Sequence, residues 1–355
     1  MKSTSPAMRS NDTHTAEPKP LQVAQARDCG LLFVDNPVRV IGQDCAYSIP
    51  LGDGEALWVF GDTLLGTFDE SGRRLLERMP SSTGLLSAPG LRSYCYLTDE
   101  GGYPRQLLPW LSEEDPERCR IWPLHGLFMH GRVYLFYVRV ALLSGRCWPY
   151  KFEVAGTGLA VARYPELAFE RVVRQDSTLW WAADEPCYGA AVLSFFAEGM
   201  VYVYGTWLRD GHHYCSLARV NAEQLEEPEA YEYLVSSAPE WSPERRRAIP
   251  IMDGMPTEMS VSYNAHLRCY LAVHSWETTG KLVARTAPCP WGPWSQPQLL
   301  WTARVPLRNP LVYGGPLVYA GKEHPELARE QGRVIYLTFV EFEEYYPRLI
   351  EVTLE

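Results

Sequence analysis

The stretch from Gly42 to Thr63, GQDCAYSIPLGDGEALWVFGDT, sets three aspartates, Asp44, Asp53 and Asp62, in an otherwise apolar and aromatic run. Two alternating segments flank LGDGEA, and Gly52-Asp53-Gly54 is a tight-turn signal, so the stretch reads as a β-hairpin centred on Asp53. A ladder symmetric about Asp53 pairs Ser48 with Trp58, Ala46 with Phe60 and Asp44 with Asp62, the last two carboxylates on one face with Cβ atoms roughly 4.5–5.5 Å apart. Like charges that close, in a partly dry site, hold one group protonated near neutrality. An acid beside a base is what glycoside hydrolysis and related acid–base chemistry require. The alternative is structural: Asp62 caps the loop after its strand, Asp44 binds backbone amides, and Asp53 only makes the turn.

A later stretch, PTEMSVSYNAHLRCYLAVHSW, repeats the design. Glu258 aligns with Asp44, and His274 falls near the place of Asp62. Glu258 stands in the otherwise uncharged run MPTEMSVSY, and burying a carboxylate without a partner costs several kcal/mol, so the position calls for a channel-facing role or a dedicated partner. His125, in WPLHGLFMHG, is placed to donate to a substrate hydroxyl or to tune a carboxylate. Arg139 closes YLFYVRV where Asp62 closes the first hairpin, and can pair with a carboxylate or hold an anionic group. Tyr188, Trp207, Trp276 and Tyr313 are candidate platforms for the apolar C–H faces of sugar rings. For each of these the competing role is ordinary: a hydrogen-bonded histidine, a surface arginine, a packed aromatic.

The elements that must position these residues are strands. Helical periodicity is confined to short stretches around NAEQLEEPEAY and HPELAREQG, and elsewhere β-rich runs are broken by Gly, Pro, Asn and Asp. The runs recur five times in a similar form: an inner strand, a turn, a very apolar strand, then polar outer strands. They open at DCAYSIPLGDGEALWVFGD, LHGLFMHGRVYLFYVRV, YGAAVLSFFAEGMVYVYGTW, EMSVSYNAHLRCYLAVHSW and YGGPLVYAG. The expectation is an all-β chain folded as a five-bladed β-propeller, because radial repetition protects strand edges and leaves a central channel. A sandwich or a pair of barrels is the other all-β solution. Residues 1–27 read as a flexible polar tail and 28–355 as a single domain. In a propeller the starts of the inner strands converge, which brings Asp44, His125, Tyr188, Glu258 and Tyr313 to one end of the channel.

The remaining composition excludes more than it selects. The formal net charge of −10 argues against nucleic acid or an anionic membrane as partner. No run reaches the roughly 18 apolar residues of a membrane-spanning helix, and the first 20 residues lack a secretory apolar core, so a cytoplasmic location is expected. The nine cysteines are odd in number and form no CxxC pair, which points to reduced, mostly buried thiols rather than zinc or disulfides. No Gly-rich phosphate loop, HExxH or GxSxG occurs, and GDGEALWVFGD lacks calcium-loop spacing, so neither a cofactor nor a metal is expected.

On GQDCAYSIPLGDGEALWVFGDT, and on PTEMSVSYN followed by GKLVARTAPCPWGPWS, the chain resembles a five-bladed propeller family of unknown function that includes endo-D-arabinanases. The resemblance runs from about residue 28 to the end. It implies a carbohydrate substrate, a furanose- or arabinan-like glycan. The layout is also distantly similar to furanosidase-type five-bladed glycoside hydrolases, which implies Asp44 as the acid of the first unit, Asp62 as the second acid of that hairpin, and Glu258 as the later acid. The start of unit two carries His125 where those hydrolases have an acid. The leading expectation is a glycoside hydrolase with Asp44 as base or nucleophile and Asp62 or Glu258 as acid. The alternatives are a non-catalytic glycan-binding or scaffold propeller and, more remotely, a glycoside phosphorylase with Arg139 at a phosphate subsite.

Overall fold

The computed structural model describes residues 20–144, 152–195, 198–306, 311–312 and 315–355. Among them the regular structure is strands and short 3-10 turns, with no α-helix. The two stretches with helical periodicity form 3-10 turns: Ala222–Gln224 and Pro228–Ala230, then Pro325–Leu327 and Glu330–Gly332. Pro228 and Pro325 open two of these turns and restrict the residue before them, which favours short turns over a long helix.

Among the described residues, five antiparallel sheets of four or more strands follow one another along the chain, each built outward from an inner strand, beside a three-stranded and a two-stranded sheet. The first has Cys45–Gly52 innermost, then Glu55–Phe60, Thr83–Ser87 and Tyr94–Tyr96. The second runs outward from Cys119–Met129 through Arg132–Leu142 and Phe152–Arg163, and the third from Cys187–Phe195 through Met200–Arg209 and His212–Asn221. The fourth is Met259–Asn264, Cys269–Trp276, Lys281–Ala287 and Gln298–Thr302. The fifth is Val318–Glu323, Val334–Glu341, Pro347–Leu354 and, outermost, Val23–Leu31 from the other end of the chain. Residues 23–27, inside the stretch read as a tail, therefore begin a strand.

The inner strands touch in cyclic order, first to second, third, fourth, fifth and back to the first. What joins the sheets is face packing. Ile49, Leu57 and Val59 of the first share one buried cluster with Leu124, Val133 and Leu135 of the second and Val201 and Val203 of the third. Val273 and Leu282 of the fourth pack with Ile335, Phe339 and Ile350 of the fifth. Across the ring the Tyr47 hydroxyl, on the first sheet, donates to the Ala190 carbonyl of the non-adjacent third sheet at 2.5 Å.

The first hairpin follows the expected register along most of its length, with Ser48 opposite Trp58 and Pro50 opposite Ala56. Its two-residue turn has Asp53 and Gly54 both at positive φ, 49° and 81°, the conformation that Asp-Gly turns favour because it matches strand twist. Near the start of the strand the register breaks. Cys45 and Ala46 both take positive φ, 67° and 59°, and Cys45, not Ala46, faces Phe60. This β-bulge displaces Asp44 by one position, so that its carbonyl accepts from Gly61 at 3.3 Å and it does not pair with Asp62. The inner strands of the second, third and fifth sheets carry register shifts too, between Pro123 and Gly126, Tyr188 and Ala191, and Tyr319 and Lys322. The fourth sheet's inner ladder is unbroken. Bulges at the rims of such assemblies re-aim side chains that a regular ladder would direct elsewhere.

Candidate active site

Asp44 and Glu258 occupy the same structural position, each the residue immediately before its sheet's inner strand. Asp44 lies between Val40–Gly42 and Cys45–Gly52 and keeps partial exposure. The Tyr319 hydroxyl donates to its Oδ2 at 2.8 Å, and Tyr345 adds a second side-chain hydrogen bond. Burial raises its pKa to about 6, against the pull of both tyrosines and the nearby Lys322 ammonium. On the other side Gly61 gives it room: a Cβ there would sit 2.4 Å from Asp44 Oδ1.

Asp62 is 8% exposed, and its pKa is raised to about 7, chiefly by burial and then by the charge of Asp44. The Trp122 indole donates to it and Arg120 Nε lies 3.5 Å from its Oδ1, both favouring the charged form. That approach is too long for a hydrogen bond, and both atoms are buried without one. Glu258 is 9% exposed and also raised to about 7, by burial first and by Asp44 in part, with Lys322 opposing; the Thr257 hydroxyl donates to its carboxylate. Three carboxylates thus interact through Asp44, although the two on the hairpin are not ladder partners.

Three further residues complete the cluster and stood out little in the sequence. Lys322, 1% exposed, brings an ammonium among the carboxylates, donating to the carbonyls of Cys45 and Ala320 and lying 4.6 Å from the Tyr47 ring centroid. The phenols of Tyr319 and Tyr345 hold Asp44. The only sequence signal for Lys322 was a charged run, KEH, inside a strand whose neighbours are apolar. His125 reaches the same place: its ring stacks on Tyr47 at 5.3 Å and its Nδ1 accepts from the Val192 amide at 2.9 Å. Burial pushes it down to about 4, so the ring is neutral at ordinary pH.

The other sequence candidates lie apart from these contacts. Arg139 pairs with Glu114 at 3.1 Å, a carboxylate it shares with the buried Arg171. Tyr188 is fully buried against Trp181 and Tyr233. His274 is fully buried with Nδ1 donating to the Ser275 carbonyl, and it faces Met259, so it takes the place of Phe60 in the first sheet and not that of Asp62. Trp276 packs over Gly254 and beneath Arg285. Trp207 stands opposite Tyr214, with Arg209 over its ring. Tyr313 lies outside the described residues.

A family model matches residues 34–351 and is described as a domain of unknown function, DUF4185. The chain belongs to the DUF4185 family. No curated protein matches this DUF4185 chain. Among solved structures it is similar to a candidate hydrolase from Bacteroides ovatus, at 15% identity and a TM-score of 0.64, over 89% of this chain and 87% of that one. It is also similar to CoXyl43, a GH43 β-xylosidase/α-arabinofuranosidase from a compost metagenome, at 14% identity and a TM-score of 0.51, over 93% and 95% of the two chains. A family 117 glycoside hydrolase from Zobellia galactanivorans aligns at 11% identity and a TM-score of 0.54, over 93% and 90%. At these identities the likeness is one of fold.

Proposed function

We propose that this DUF4185 chain is a five-bladed β-propeller glycoside hydrolase acting on a furanose- or arabinan-like glycan. The cyclic contact of the five inner strands supports the propeller, and the motif resemblance to endo-D-arabinanases supports the substrate class. The observation that carries the activity is the cluster itself: Asp44, Asp62 and Glu258 interact through Asp44, and burial raises the pKa of all three, while the Tyr319 hydroxyl bonds Asp44 and the Lys322 charge favours the ionised form of Asp44 and Glu258. Groups whose environments set their proton affinities apart take the roles of base and acid.

Asp44 keeps partial exposure, is held by two phenols and faces a lysine, all of which suit its ionised form. It acts as the base that activates water, or as the nucleophile. Asp62 and Glu258 are the carboxyls that keep a proton near neutrality, and the donor to the leaving oxygen is one of them. Incubating the full chain with a panel of arabinans and aryl furanosides should release reducing ends, and Asp44→Asn should release none while melting at the same temperature. An Asp44→Asn protein with full activity overturns the assignment.

A second reading rests on Arg120. A carboxylate already facing a buried guanidinium suits a glycan-binding module without turnover. On that reading wild type and Asp44→Asn bind arabinan alike in calorimetry, and neither releases sugar.

A further inference from the structure

The first and fifth inner strands meet where the ring closes, and each is bulged there. Cys45 and Ala46 take positive φ on one, Ala320 takes φ 59° on the other, and the register shifts at both places. One side chain spans the two irregularities. The Lys322 ammonium donates to the Cys45 carbonyl of the first bulge and, at 2.7 Å, to the Ala320 carbonyl of the second. Asp44 directly precedes the first bulge and Tyr319 directly precedes the second, and these two residues hydrogen-bond across the seam at 2.8 Å. Bulges are the places where a ladder leaves backbone groups free and a strand can bend, and a buried carbonyl without a donor is costly. A cation that satisfies both carbonyls therefore fixes the bend of both strands, and with it the line from Tyr319 to Asp44.

We propose that Lys322 is a positioning residue that clamps the two bulges together and so sets the aim of the Asp44 carboxylate. The proposal rests on the reading of Asp44 as the reacting base, but the clamp is a property of the folded protein with or without turnover. A lysine with 1% of its surface exposed does not meet a substrate; it works through the backbone and through its charge. The charged and titratable groups facing it are Asp44 and Cys45 from the first sheet, His125 from the second, Glu258 from the fourth and His324 on its own chain segment. Its charge favours the ionised form of both Asp44 and Glu258 and disfavours charge on both histidines. Tyr47, whose ring lies beneath the ammonium, carries the arrangement to the third sheet through its bond to Ala190.

The test compares the full chain as wild type, Lys322→Met and Lys322→Arg, with Asp44→Asn to assign the signal. Carboxyl titration is followed by infrared difference spectroscopy or carboxyl-edited NMR, and thermal unfolding verifies that each variant is folded. Removing the ammonium should raise the Asp44 midpoint by about one unit, a tenfold change in proton affinity. It should also move the acid limb of any hydrolytic pH profile upward by the same amount and lower kcat with little change in KM. Lys322→Arg, which keeps charge and donors, should return part of the shift. A folded Lys322→Met with an unmoved Asp44 midpoint overturns the proposal. If the midpoint moves and no glycan is cleaved by any form, the clamp stands and the hydrolase reading falls. Should Lys322→Met fail to fold, Lys322→Arg decides: a midpoint displaced by less than about one unit supports a clamp made by charge and donors, while one displaced by about a full unit or more overturns it.

Discussion

The first and fourth sheets present an acid at the same place by different means. In both, the carboxylate immediately precedes the inner strand. In the fourth the ladder runs unbroken from Met259 opposite His274 to Asn264 opposite Cys269, and Glu258 is carried in by ordinary strand geometry. In the first, two residues at positive φ insert a bulge, and Asp44 comes to lie against Gly61. Next to His274, the partner of Met259, stands Ser275, a buried residue whose hydroxyl accepts from the Gly321 amide of the fifth sheet at 3.0 Å. The difference shows that a shared sequence pattern fixes which residue heads the strand, while the local backbone decides what that residue meets.

The strongest break of this comparison is at the acids themselves. Asp44→Asn should lower kcat/KM by about a thousandfold or more, whereas Asp62→Asn and Glu258→Gln should separate by leaving group. The variant lacking the proton donor loses polymer cleavage yet keeps much of its rate on aryl furanosides with acidic phenols, and steady-state kinetics on both substrates identifies it. Gly61→Ala tests the bulged side. The new methyl has no room beside Asp44 Oδ1, so activity should fall about a hundredfold with a small change in melting temperature. An active Gly61→Ala would show that Asp44 is not held in one place. The matched change in the fourth sheet, Ser275→Ala, removes a hydrogen bond and no space; it should cost about 1 kcal/mol of stability in denaturant unfolding and leave the pH profile alone.

The pH dependence sharpens the same contrast. With Asp44 at about 6 and its partners at about 7, kcat/KM should rise through the first value and fall through the second, giving a narrow bell. The smallest effect concerns stability. Glu323, buried beside Ser262 and near Glu326, is raised to about 7 by burial first and by the Glu326 charge. A carboxyl raised above its unfolded value binds more protons folded than unfolded, so its contribution declines as pH climbs from the unfolded value to about 7. Glu323→Gln should therefore gain stability over wild type across that window and level off above it, by about 1–2 kcal/mol at pH 8. A pH-independent difference in unfolding midpoints would rule this out.

Much of the framework could be seen in the sequence because it is local. Alternating apolar runs between Gly, Pro and Asp signals located the inner hairpins of the first, third and fourth sheets, and the Asp53-Gly54 turn set the register from Ser48 to Pro50; the second inner strand begins at Cys119, ahead of His125. The bulge could not be placed from the sequence because Cys45 and Ala46 carry no turn signature. His274 was misplaced by the same cause in reverse, since its sheet has no bulge to shift it. Lys322 and Tyr319 come from the far end of the chain, and no spacing rule connects them to Asp44. The outer strand Val23–Leu31 was hidden because most of its residues face solvent, so it lacks alternation and is defined only by a partner more than 300 positions away.

That outer strand has a mechanical consequence. It runs antiparallel to Pro347–Leu354, with Val23 beside Leu354 and Leu31 beside Arg348, so a load that draws Val23 away from Leu354 peels the ladder open one rung at a time rather than sliding it as a whole. This outer ladder is a zipper, weak to traction and strong to everything that leaves Val23 and Leu354 alone. In an optical trap the fifth sheet should give way first, and the Tyr319–Asp44 contact, two strands further in, should outlast the first rip.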